Sequence, residues 1–220
     1  MIRVKICGVK SSDDLKIAVE AGADAVGLLV GQLHASPDFI LPSTALRLAS
    51  ELPPYISPVI VTHLLEAEEI YEILRKTSIW TVQLHGTAPL SEVKKLRKML
   101  PDSAKIIQAV NIVFGTLDIN PEDYAPYINA IVLDSYNRSA GDPGAPGRTY
   151  NWEMAEKFVK SSRIPVILAG GLNETNVGDA VKLVRPYGVD ANTGLKGENG
   201  FHSREKCYKF VVNAKKMCLV

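Results

Sequence analysis

Short apolar, β-branched runs recur along the chain at Val4–Ile6, Ala25–Val30, Val59–Thr62, Thr81–Leu84, Lys105–Val110, Ala130–Leu133, Pro165–Ala169 and Gly188–Ala191. Each has the length and residue types of a buried strand. Between them, apolar positions return at helical spacing over Ser12–Ala21, Pro42–Glu51, Leu65–Lys76, Leu90–Lys98, Trp152–Lys160, Asn173–Val184 and Ser203–Lys216. Several of these helices carry their own boundary signals. Ser12 with Asp13 and Asp14 opens the first and Gly22 closes it, while Asn173-Glu174 opens the seventh. The stretch near Pro121–Tyr127 is a poor helix.

Roughly eight strand–helix units, spaced about 25 residues apart, form a parallel sheet with helical crossovers. Two architectures fit: a closed (βα)8 barrel and an open doubly wound sheet. An open dinucleotide-binding sheet shows GxGxxG at its first strand–helix turn. Here that turn reads Ile6-Cys7-Gly8-Val9-Lys10. The expectation is therefore an α/β protein, a single (βα)8 TIM barrel spanning residues 1–220, a length suited to one domain. The Gly/Pro-rich stretch Ser139–Arg148 follows the sixth strand and reads as a mobile lid, not a domain boundary.

Composition narrows the partners. Lys and Arg total 25 against 24 Asp and Glu, a formal net charge of +1, and no Lys/Arg run exceeds a pair such as Lys215-Lys216. That leaves no electrostatic footprint for nucleic acid or an anionic membrane, so any anionic partner is small and held by a local site. The first residues lack the apolar core of a signal peptide, and no stretch approaches the roughly 20 apolar residues of a membrane span. Cys7, Cys207 and Cys218 show no CxxC or metal-ligand spacing. An odd, unpatterned set suits a reducing compartment, and the expected location is the cytoplasm.

In the first strand Arg3, Lys5 and Cys7 share one face and Val4 and Ile6 the other. If the apolar face packs on helices, Lys5 and Cys7 point inward. The same reasoning places Gln83, His85, Gln108, Asp134, Asp190 and Asn192 inside, near the C-terminal strand ends where barrel active sites are built. A lone strand-end Asp or His more often caps a loop; several at one rim point to a site. Cys is also a common small core residue. Beside Lys5, however, an ammonium favours the thiolate and makes Cys7 a usable base or nucleophile. Lys5 itself needs a buried carboxylate partner. Asp134 either bonds loop amides or, if desolvated, holds a proton as a general acid. The Gly170-Gly171 turn after the seventh strand and Thr193-Gly194 after the eighth suit a phosphate, with free amides and a helix dipole behind them.

Taken in order, Lys5-Ile6-Cys7-Gly8, Val82-Gln83-Leu84-His85-Gly86, Leu133-Asp134, Gly147-Arg148-Thr149-Tyr150-Asn151-Trp152, Leu168-Ala169-Gly170-Gly171-Leu172, and Val189-Asp190 with Thr193-Gly194 resemble the phosphoribosylanthranilate isomerase family of tryptophan biosynthesis. The resemblance runs from Lys5 to about Lys206. It implies an Amadori rearrangement of N-(5′-phosphoribosyl)anthranilate to 1-(2-carboxyphenylamino)-1-deoxyribulose 5-phosphate, with no metal or organic cofactor. It casts Asp134 as the general acid that opens the ribose ring and Cys7 as the base that removes the C2 proton. Gly170, Gly171, Thr193 and Gly194 then hold phosphate, and Gln83, His85 and Asp190 line the substrate site.

Departures fall on the substrate side. The family pattern has Ser-Pro-Arg after the second strand, its Arg reaching the anthranilate carboxylate; here Ser36-Pro37-Asp38 places an acid that would repel that carboxylate. His63 ends the third strand in place of the family's Asn. Gln108 and Asn111 stand where Lys and Arg are common, and Lys196 replaces an acidic residue. His34, His63 and His202 read as solvated loop residues. Three functions stay open: an isomerase whose carboxylate is met by Lys196 or Arg148, a paralogue acting on another aminosugar phosphate, and a non-catalytic phosphometabolite-binding protein.

Overall fold

Alternation along each strand sends one set of side chains to the barrel interior and the other to a surrounding helix layer. The computed structural model describes residues 2–113, 116–134 and 149–216. The parallel strands are β1 (Arg3–Cys7), β2 (Ala25–Leu29), β3 (Ser57–Thr62), β4 (Thr81–Leu84), β5 (Lys105–Val113), β7 (Ala130–Asp134), β8 (Val166–Ala169) and β9 (Gly188–Ala191). They pair in the order β4-β3-β2-β1-β9-β8-β7-β5, and β5 pairs back onto β4, closing the ring. β6 (Thr116–Leu117) folds antiparallel onto the end of β5 and stays outside it.

The crossovers are α1 (Ser12–Ala21), α2 (Pro42–Ser50), α3 (Ala67–Thr77), α4 (Leu90–Met99), α5 (Pro121–Tyr124), α6 (Thr149–Ser161), α7 (Val177–Val184) and α8 (Arg204–Lys216). The weak pattern after β6 yields only the single turn of α5. Ser11, not Ser12, caps α1 by accepting from the Asp14 amide at 3.1 Å, and Gly22 ends that helix in the left-handed region. α7 starts at Val177 instead of Asn173. The Asn173 side chain accepts from the Thr175 and Asn176 amides, a local turn that competes with the first helical turn.

Two apolar layers result. Outside the ring, Ile6, Leu28, Ile60, Leu84, Ile106 and Ile131 pack against helix residues such as Leu48, Leu74, Leu96 and Phe210. Inside it lie Cys7, Leu29, Val59, Val61, Ile107, Ala130, Val132 and Ala169. Gln108 corrects the inward assignment made from sequence. Ile107 is the inner residue at this point, and Gln108 pairs in register with outward Leu84 and Ile131. Its Nε2 donates to the Gly86 and Ala109 carbonyls, while its Oε1 is buried with no hydrogen-bond partner among the described residues.

A cavity of about 710 Å³ opens at the N-terminal strand ends, floored by Ala25, Val59, Ile107, Ala130 and Ile167. Neither Cys7 nor Asp134 lines it, so this opening is not where the candidate chemistry lies. Among the described residues no helix is long and apolar enough to cross a membrane. The expected lid Ser139–Arg148, with Arg148 itself, lies outside the described residues.

Candidate active site

Lys5 and Asp190 face each other across the β1–β9 ladder, where they are register partners. Their side chains meet at 2.5 Å with almost no exposure. This is the buried carboxylate that Lys5 needs. Burial pulls the Lys5 pKa down, but Asp190 and the neighbouring Cys7 outweigh it and hold the ammonium charged. The second oxygen of Asp190 is buried with no hydrogen-bond partner among the described residues, as is Gln83 Oε1. Orphaned buried acceptors inside a barrel are poised for donors from a ligand.

Cys7 is the last residue of β1, and Gly27 stands beside it in register. A Cβ on Gly27 would lie 2.6 Å from Cys7 Sγ, so only glycine leaves room for the sulfur. Against the expectation from sequence, the thiol is not activated in the unliganded site. Burial pushes its pKa up to about 11; Lys5 and the Gly8 amide pull the other way, and the Asp190 charge adds to the rise. Burial therefore keeps Cys7 a thiol at neutral pH.

Asp134 ends β7, where it pairs in register with Asn111 and Ala169. It lies on the same C-terminal rim as Cys7, three strands round the ring. Gln83 Nε2 lies 3.1 Å from His85 Nδ1, which makes that ring nitrogen an acceptor and leaves the proton on Nε2.

The two glycine turns touch. Gly170 and Gly171 both adopt positive φ, +89° and +67°, and the Gly171 carbonyl accepts from Asn176 Nδ2 at 3.0 Å. A Cβ on Gly194 would sit 2.3 Å from the Leu172 carbonyl oxygen, so the loops after β8 and β9 pack with no space between them. Because α7 begins at Val177, its dipole stands further from these glycines than the sequence implied. The donors this corner could offer an anion are therefore the backbone amides of the glycine turn and of the 3₁₀ turn Thr193–Leu195.

A family model for N-(5′-phosphoribosyl)anthranilate (PRA) isomerase matches residues 4–213. N-(5′-phosphoribosyl)anthranilate isomerase 2 of Methanosarcina mazei is 41% identical over 97% of this chain and 94% of its own. The chain belongs to this family. The phosphoribosylanthranilate isomerase of Thermotoga maritima superposes with a TM-score of 0.79 at 33% identity, covering 98% of this chain and all of that one. A family structure in complex with reduced 1-(o-carboxyphenylamino)-1-deoxyribulose 5-phosphate gives 0.76 at 31% identity, with the same coverage.

Within this phosphoribosylanthranilate isomerase barrel, Asp38 does not present the free negative charge that its sequence position suggested. It is buried, paired with Lys196, 3.4 Å from Lys10 Nζ and 3.0 Å from Asn192 Nδ2. Burial raises its pKa, yet the Lys196 and Asn192 hydrogen bonds and the two lysine charges bring it below the usual range. One carboxylate between two ammonium groups leaves the cluster with a net positive charge. Lys10 also donates to the Gly200 carbonyl at 3.0 Å and lies 4.6 Å from the centre of the Phe201 ring. Asp38 and Lys196, two positions that depart from the family pattern, are thus paired with each other.

His34 is exposed as expected, but the other two loop histidines depart from expectation. His63 is half-buried and bonded to Gln32, with its ring 4.6 Å from that of His34 and 5.0 Å from that of His85. His202 is wholly buried beside Asp14. Lys10 as a partner of Asp38 went unread in the sequence, because loop-to-loop contacts have no periodicity. The burial of Asp14 was readable, since it shares a helix stripe with Ala18 and Ala21.

Proposed function

We propose that the protein rearranges N-(5′-phosphoribosyl)anthranilate to 1-(2-carboxyphenylamino)-1-deoxyribulose 5-phosphate, with Cys7 as base and Asp134 as acid. The observation that carries this is their shared barrel rim, beside two interlocked glycine turns, in a chain that matches the family end to end. Asp134 protonates the ribose ring oxygen as the C1–O bond breaks and the nitrogen lone pair forms an iminium. That positive charge acidifies the C2–H and offsets the burial that keeps Cys7 protonated. As that charge builds, Cys7 loses its own proton to water, and the thiolate takes the C2 proton, giving an enaminol. C1 then gains a proton and the C2 hydroxyl loses one, leaving the ketone, so no oxidant or reductant enters. Asp190 and Gln83, with unused buried oxygens, accept hydrogen bonds from the sugar hydroxyls. Cys7 and Cys207 are unpaired, which suits the reducing cytoplasm where we place this activity.

The phosphate is held between Gly170-Gly171 and Thr193-Gly194. Gly194→Ala pushes the Leu172 carbonyl away and opens this grip. The expected result is a KM raised about tenfold or more, with inorganic phosphate losing potency as a competitor to the same degree. Unchanged phosphate inhibition contradicts the placement.

Lys196, held by Asp38, is our choice for the anthranilate carboxylate. Lys196→Met is expected to raise KM more than about tenfold with little change in kcat, the loss of one charge-assisted contact. Asp38→Arg gathers three cations and brings no gain in affinity. A tighter substrate in Asp38→Arg, or an unchanged KM in Lys196→Met, assigns the carboxylate elsewhere.

The activity itself is tested with freshly prepared phosphoribosylanthranilate, whose fluorescence is lost on conversion. Efficient loss supports the reading. Binding without turnover favours a phosphometabolite-binding protein, and turnover of another aminosugar phosphate alone favours a paralogue.

A further inference from the structure

Asp14 and His202 form an enclosed pair that the reaction above does not use, with side chains 1% and 0% exposed. The His202 amide donates to Asp14 Oδ1 at 2.9 Å, and ring Nδ1 lies 3.2 Å from the same oxygen, within ion-pair distance but out of line for a hydrogen bond. The other ring nitrogen, Nε2, lies 3.0 Å from the backbone oxygen of Cys7. A carbonyl can only accept, so Nε2 is the donor. The ring thus donates from Nε2 to the end of β1, while Nδ1 lies beside the Asp14 carboxylate without an aligned hydrogen bond.

The Cys7 carbonyl needs such a donor because of where its strand stops. Arg3, Lys5 and Cys7 direct their backbone groups to the β9 side, whereas the Gly8 amide turns the other way to the Gly27 carbonyl at 3.0 Å. The β1–β9 ladder ends at Ile6 and Ala191, one residue too early for Cys7. His202, arriving from the loop after β9, supplies the missing partner. The Cys7–Gly8 peptide is therefore held at its oxygen by an imidazole and at its N–H by β2, and the same N–H acts on the Cys7 sulfur. A hydrogen bond at one end of a peptide strengthens the donor at the other.

We propose that His202, held by Asp14, is a positioning residue for Cys7: it fixes the peptide that follows the sulfur, aims the thiol at substrate and supports the thiolate through the Gly8 amide. This rests on Cys7 being the base. Asp14 is kept ionised for the task. Burial raises its pKa, but the hydrogen bonds and charge of His202 and the Lys10 amide bring it down to about 2.

The test compares wild type, His202→Ala, His202→Gln and Cys7→Ala by turnover of phosphoribosylanthranilate, and the Cys7-containing proteins by iodoacetamide alkylation of Cys7 against pH, read by peptide mass. Buried Cys207 serves as the internal control. For His202→Ala the expected kcat is about tenfold lower with KM nearly constant, and Cys7 alkylation at a given pH is slowed in proportion. His202→Gln, which keeps a donor, recovers part of both. A fall in kcat with an unchanged alkylation profile makes His202 merely structural and overturns the proposal, as does no change in either. Normal turnover in Cys7→Ala instead removes the base assignment itself. Should His202→Ala not fold, wild-type proton NMR still decides. A protected ring N–H signal from Nε2, absent in His202→Gln, agrees with the donor to the Cys7 carbonyl; a proton on Nδ1 alone overturns it.

Discussion

Cys7→Ala is expected to lower kcat on phosphoribosylanthranilate by about 1,000-fold while leaving KM within a few-fold, because proton abstraction acts only in the transition state. The substitution removes one sulfur atom from a position already close-packed against Gly27, so the barrel itself is undisturbed. Asp134→Asn should match it in size, and the double variant should be little worse than either alone, since the two groups serve one reaction. The pH behaviour of the thiol gives a second handle. With burial holding its pKa at about 11, Cys7 in the free enzyme should be alkylated slowly at neutral pH. The rate should climb about tenfold per pH unit as the thiolate fraction grows. Addition of a cationic iminium analogue should speed the reaction of any Cys7 left accessible, and an alkylation midpoint near 8.5 without ligand would show that Lys5 outweighs burial after all.

The second large effect concerns stability. Asp190→Asn leaves the Lys5 ammonium buried without its counter-charge, and breaking a buried pair in this way costs about 3–5 kcal/mol. Urea midpoints at neutral pH should fall accordingly. The double variant Lys5→Met, Asp190→Leu should recover most of that loss, because the expense lies in the uncompensated charge and not in the absence of a bond. Activity should not return with it, since Asp190 offers its second oxygen to substrate and Lys5 is the cation nearest Cys7 in these ladders. Asp190→Asn with an unchanged urea midpoint contradicts this description of the pair.

Periodicity made the barrel legible. All eight ring strands were visible as apolar runs, and parity placed Lys5, Cys7, Gln83 and Asp190 correctly inside because those strands alternate without interruption. Parity misplaced Gln108. In β5 Ile106 faces outward and Ile107 inward, and the run Ile106-Ile107 gives no sign of which isoleucine faces which layer. The start of α7 was missed because an Asn that caps a helix and an Asn that forms its own turn look alike in sequence. The role of Asp38 was missed for a different reason. Its partners Lys10, Asn192 and Lys196 come from the loops after β1 and β9, and contacts between such distant loops are set by the closure of the ring. The same closure buries His202, whose loop position suggested exposure. The Cys7 thiol was misjudged because a neighbouring ammonium is readable from spacing, whereas depth of burial is not.

The most direct test is the structure of this protein with reduced 1-(o-carboxyphenylamino)-1-deoxyribulose 5-phosphate. The phosphate is expected between Gly170-Gly171 and Thr193-Gly194, the anthranilate carboxylate at Lys196, and the sugar C2 about 3.5 Å from Cys7 Sγ, with Asp134 on the ring-opening side. A ligand bound in the opposite sense, or with C2 out of reach of Cys7, would contradict the assignment of base, acid and phosphate grip together.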